Sequence, residues 1–147
     1  MTARQEQHIQ EAEIPPIEKG LYRSGADGAL VLTGTRCPDC DRAFYPALAI
    51  CPDCGTEAVS ADLGSTGVIY SQTTIRTRPP FGLPQPYSVA YLDLEAAPLR
   101  IFALLDPAEA GAFRIGDRVT LSVAPIGDDG KGNARLRPYF ARSQEKE

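Results

Sequence analysis

Hydrophobic and polar positions alternate most cleanly between Arg118 and Ala124, where Val119, Leu121 and Val123 share one face and Arg118, Thr120 and Ser122 the other. A period of two is the mark of a half-buried strand. Val68 to Thr77 is rich in Ile, Tyr and Thr, and Tyr87 to Leu94 and Leu99 to Leu105 are apolar runs separated by Glu95-Ala96-Ala97-Pro98. Ala134 to Arg142 closes the pattern, with Leu136 and Phe140 expected inward and Arg135 and Arg137 outward. Pro138 cannot donate to a ladder, so it belongs at an edge or a bulge. Five short strands, with a helical turn or two between Asp106 and Asp117, predict a small Greek-key barrel of the OB type over residues 65–147, with a core of its own.

The first half reads less regularly. Residues 1–16 are polar and end in Ile14-Pro15-Pro16, which predicts a loose tail holding the single histidine, His8, as a solvated side chain. Ile17, Leu21 and Tyr22 fall at helical spacing, weakened by Gly20 and Gly25, and predict a short marginal helix over 17–25 within an N-terminal segment 1–27. Asp27-Gly28 reads as a turn and Ala29 to Arg36 as a strand. Residues 57–65 lack strong periodicity and read as a connection.

The chemistry of the chain lies between these regions. Cys37-Pro38-Asp39-Cys40 and Cys51-Pro52-Asp53-Cys54 hold all four cysteines. Two Cys-x-x-Cys turns supply the four thiolates that a tetrahedral Zn²⁺ takes at about 2.3 Å each, and a site closed by four thiolates leaves no position for water or substrate. Cys37, Cys40, Cys51 and Cys54 are therefore the candidate ligands of a structural zinc, in a ribbon over 28–64. The prolines help set the two turns, and Gly55 can take a left-handed conformation. Two disulfides fit less well, and a redox motif needs one pair, not two. Iron in a rubredoxin-like site uses the same ligands, so it remains an alternative to zinc. Phe44, Tyr45 and Leu48 are expected to cover the metal of a ribbon too small for its own core.

With 43% hydrophobic and 23% charged residues, the composition is that of an ordinary soluble globular protein, and the strand patterning makes the expected fold mainly β, a zinc ribbon followed by an OB barrel. No apolar run reaches the roughly 18 residues of a membrane span, so membrane insertion is not expected. The start of the chain lacks an apolar leader, and reduced metal-binding cysteines point to the cytoplasm. Residues 1–64 carry five Lys or Arg against ten Asp or Glu, and residues 65–147 ten against nine, which together give the net charge of −4. An acidic chain is a poor general binder of phosphate backbones. Nucleic-acid binding is nevertheless the rival functional class, because ribbons and OB barrels serve it elsewhere.

Arg76 to Pro86 is not strand sequence. Pro79, Pro80, Pro84 and Pro86 stiffen it, while Phe81 and Leu83 leave apolar groups at its tip. Phe81 and Leu83 are candidates for contact with a partner or an apolar ligand. Arg76, Arg78, Arg135 and Arg137 are candidates for an anionic, phosphate-bearing ligand, weighed against an ordinary solvated face. Leu21 and Tyr22 are further candidate partner contacts.

The order of these parts carries a resemblance. A short N-terminal helix, the paired Cys-Pro-Asp-Cys knuckles, Gly67-Val-Ile-Tyr-Ser-Gln-Thr73, Pro86-Tyr-Ser-Val-Ala90 and Ile115-Gly-Asp-Arg-Val119 resemble the zinc-ribbon/OB-fold proteins associated with acyl-CoA metabolism, over roughly residues 17–142. The resemblance implies a non-catalytic companion of thiolase-fold enzymes (thiolases, acyltransferases or lipid-transfer-protein-like aldolases) that assists acyl-CoA binding and assembly, with Phe81 and Leu83 against a partner or an acyl chain and Arg76, Arg78, Arg135 and Arg137 on CoA phosphates. The partner would supply the catalytic groups, and no Ser/His/Asp, Cys/His or paired-carboxylate arrangement stands out in this chain.

Overall fold

The computed structural model describes residues 14–25 and 27–143. The expectations for residues 1–13, His8 among them, lie outside the described residues. Among the described residues, nine strands form two sheets: β1 Tyr22–Ser24, β2 Leu30–Arg36, β3 Ala43–Phe44, β4 Val59–Gly64, β5 Thr66–Ile75, β6 Tyr87–Leu94, β7 Arg100–Leu104, β8 Arg118–Asp128 and β9 Ala134–Arg142.

In the ribbon sheet β2 pairs antiparallel with β1, β3 and β4. Three expectations fail in this half of the chain. The helix over 17–25 is absent: Gly20 turns the chain at φ +86°, and Tyr22–Ser24 instead pairs with Leu30–Leu32. Sheet pairing thus overrides a weak helical spacing. Residues 59–64 are not a connection but β4, whose Ala61 and Leu63 turn inward between exposed Ser60 and Asp62. Ile14–Pro16 are not loose either. The Leu136 amide donates to the Pro15 carbonyl at 2.9 Å and the Ile17 amide to the Leu136 carbonyl at 2.8 Å, docking the segment on β9.

The second sheet runs β7-β6-β5-β8-β9. Its outer strands meet where Leu105 bridges Phe140 in parallel and the Asp106 amide donates to the Phe140 carbonyl at 2.9 Å, giving a partly open barrel. The helical excursion is one 3-10 turn, Pro107–Glu109, capped by the Asp106 carboxylate on the Ala108 amide. Pro138 sits in the outermost strand, β9, opposite Val123.

One core serves both halves, which overturns the separate barrel core. Leu32 and Leu63 of the ribbon sheet join Ile69, Leu92, Ile101, Leu105, Val119 and Phe140 of the barrel in one buried cluster. Packing is close enough that a Cβ on Gly34 would run into the Phe44 carbonyl and the Leu63 side chain.

Candidate functional site: metal knuckles and an apolar groove

The two knuckles are built alike. The Asp41 amide donates to the Cys37 carbonyl at 2.8 Å, and the Gly55 amide to the Cys51 carbonyl at 2.9 Å. The next residue returns the bond in each: the Cys37 amide reaches the Arg42 carbonyl and the Cys51 amide the Thr56 carbonyl, both at 2.9 Å. Each turn ends in a left-handed residue, Gly55 at φ +77° and Asp41 at φ +59°. Asp is among the few side chains that tolerate that region.

The turns bring the four Sγ atoms within 4.8 Å of one another, with Cys37 and Cys54 at 3.5 Å. Thiolates around one tetrahedral ion at about 2.3 Å would stand about 3.8 Å apart, so the donor set fits a single metal. The Thr56 hydroxyl and amide pull the Cys54 thiol down to about 6, whereas its bond to Cys54, then burial, push Cys40 up to about 12. Four thiolates so close need a cation among them. Cys37 and Cys51 are buried and Cys40 and Cys54 exposed. An Arg42–Asp53 ion pair joins the knuckles, and the Thr56 hydroxyl donates to Asp39 at 2.7 Å.

Of the residues expected to cover the metal, only Phe44 does so, buried with Cys37 and Cys51. Leu48 is exposed, its backbone held by the Thr35 hydroxyl on β2. Tyr45 turns the other way, into a groove of about 430 Å³ lined also by Ile17, Leu83, Val89, Phe102, Arg137 and Phe140. Burial, and secondarily Glu18, push the Tyr45 phenol up to about 12.

The remaining candidates separate. Phe81 is 49% exposed at the groove rim, and Leu83 is half-buried in its wall. Arg76 and Arg78 are exposed on the loop before it. Arg135 and Arg137 depart from the outward, solvated expectation. Arg135 pairs with Asp129 at 3.2 Å, both largely buried. Arg137 donates to the Ile126 carbonyl at 2.6 Å and the Asp128 carbonyl at 3.0 Å. Leu21 and Tyr22 belong to the ribbon edge: the Leu21 carbonyl accepts from Thr33, and Tyr22 packs on the shared core.

Sequence reasoning passed over the outer face of β5–β7. Tyr91 and Phe102 face each other across β6 and β7, rings 5.2 Å apart, and Phe102 is 58% exposed. Beside them the Arg100 guanidinium lies 3.4 Å from the Tyr70 ring centroid while pairing with Asp93 at 2.6 Å. The signal was present: Tyr91 and Phe102 occupy the outward phase of strands whose inward residues are Leu92 and Ile101.

Comparison with known proteins follows this architecture. The profile of the ChsH2 rubredoxin-like zinc-ribbon domain matches residues 28–60, and that of the ChsH2 C-terminal OB-fold domain matches residues 61–124. A DUF35 domain-containing scaffold protein of Methanothermobacter thermautotrophicus is 29% identical over 103 residues, covering 68% of this chain and 77% of that protein. The solved Ltp2-ChsH2(DUF35) aldolase superposes with a TM-score of 0.60 at 24% identity, over 76% of this chain and 84% of that one, a likeness of fold. Ribbon and barrel, matched in order over more than half its length, place this chain in the ChsH2 family of zinc-ribbon/OB-fold proteins.

Proposed function

We propose that this chain is a non-catalytic accessory subunit of a thiolase-fold enzyme, assisting assembly of the complex and binding of its acyl-CoA substrate. The observation that carries the reading is the apolar surface running from Tyr91 and Phe102 on the outer barrel face to Phe81 at the groove rim, in a chain of this family. Three aromatic rings about half exposed on one side of a small domain are what a protein interface covers. A relative named as a scaffold protein and a fold likeness to an Ltp2-ChsH2 aldolase support the same reading. Arg76 and Arg78, exposed on the adjoining loop, suit CoA phosphates. The metal is zinc, held by Cys37, Cys40, Cys51 and Cys54 as a structural ion, and the complex works in the cytoplasm, where thiolates stay reduced.

The test is co-expression with a thiolase-fold enzyme of the same source, pulling down through a tag on this chain. Retention of the enzyme by the wild type and its loss with Phe102→Asp are expected, because an unpaired carboxylate buried in an interface is strongly unfavourable. An enzyme retained equally by both would place the interface elsewhere, and one retained by neither would remove the accessory reading.

A further inference from the structure

The groove wall is mostly apolar, with the Tyr45 and Tyr87 phenols and one charged group, Arg137. Arg137 has five N–H donors, of which two go to the backbone carbonyls of Ile126 and Asp128. No carboxylate among the described residues forms an ion pair with it. Asp128, the acid whose charge acts on it, has Oδ1 engaged by the Gly130 amide at 2.7 Å. Burial holds Arg137 below the usual arginine value, with the Asp128 charge acting against it, the direction for a cation that has lost part of its water and has no ion pair to replace it. Such a guanidinium favours an oxyanion at its free donors, where charge-assisted bonds are the stronger kind. Apart from the Tyr45 and Tyr87 phenols, the wall is built of apolar side chains, Ile17, Leu83, Val89, Phe102 and Phe140 among them. At about 430 Å³ the space falls within the size of small-molecule sites. A ligand suited to both features is apolar along its length and anionic at one end.

We propose that this groove binds a medium-chain aliphatic carboxylate, its chain against Val89, Leu83 and Phe102 and its carboxylate on Arg137. The site is preformed, because the two carbonyl bonds fix the guanidinium before any ligand arrives. This goes beyond the accessory-subunit reading, since the proposed ligand is a free acid and not a CoA ester, and it is tested without a partner.

The experiment uses the metal-loaded full chain. Because the chain has no tryptophan, Phe102→Trp places a single indole reporter in the groove. Dodecanoate is expected to shift its emission to the blue. Calorimetry on the wild type is expected to give dodecanoate at least tenfold tighter binding than its methyl ester, which has the same chain and no charge. Arg137→Met should erase that preference while leaving ester binding in place. The proposal is overturned if dodecanoate leaves the indole emission unchanged, or if acid and ester bind the wild type equally. The wild-type comparison decides the matter even if Arg137→Met fails to fold.

Discussion

The Arg137 guanidinium carbon stands 5.7 Å from the centroid of the Phe81 ring, so the β8–β9 hairpin and the proline-rich β5–β6 loop lock together at one point. The backbone repeats the link, since the Asp128 amide donates to the Phe81 carbonyl at 2.7 Å. Loop stiffness at the groove rim therefore comes from a partner strand as well as from prolines.

That lock predicts sensitivity at Gly127, which holds φ +66° with the Phe81 carbonyl against it. Gly127→Ala adds a Cβ where neither the backbone conformation nor the space admits one. A loss of about 1–3 kcal/mol in urea unfolding is expected. A change under about 0.5 kcal/mol would show that the loop gives way freely.

The shared core predicts that a ribbon substitution reaches the barrel. Leu32 is 1% exposed within the cluster that includes Leu92 and Val119. Leu32→Ala should cost about 2–5 kcal/mol and lower one transition seen alike by far-UV and tyrosine signals. Two separated transitions would mean that the halves unfold independently.

The same reasoning bears on the metal. We expect about one zinc per chain by elemental analysis, and Cys40→Ser or chelation should lower the melting of the barrel along with the ribbon. A metal-free sample with an unchanged barrel signal would contradict this.

At the tip of the β8–β9 hairpin, the Asn133 side chain and the Lys131 amide, with Arg135 contributing, hold the Asp129 carboxyl down to about 2. Its folded value lies below the unfolded value of 3.8, so its stabilisation is complete above about pH 4 and is lost as pH falls towards 2. The urea midpoint of Asp129→Asn should lie below wild type at neutral pH and converge with it near pH 2. A gap independent of pH would assign the effect to something other than ionisation.

Much of this was legible in the chain. β6 and β9 have the bounds that apolar runs and alternation predicted, and the cysteine spacing pointed to the knuckles. β1 and β4 were missed because each is specified by pairing with β2, a relation that local spacing does not contain. In β4 the apolar phase of Val59, Ala61 and Leu63 was masked by Ser60, Asp62 and Gly64, residues that read as loop. The groove was invisible for a related reason: Ile17, Tyr45, Phe102 and Arg137 lie far apart in sequence and meet only once the barrel closes on the ribbon. Arg137 read as a solvated cation because strand phase says which way a side chain points, not which carbonyls a neighbouring hairpin brings to it.

The accessory-subunit account is tested most directly by reconstitution. This chain and a thiolase-fold enzyme of the same source, purified apart, are mixed, passed over a size-exclusion column with mass detection, and the fractions assayed on an acyl-CoA substrate. The account predicts one co-eluting complex whose turnover exceeds that of the enzyme alone, with no turnover from this chain by itself. Separate elution, with full activity in the enzyme fraction, would contradict it.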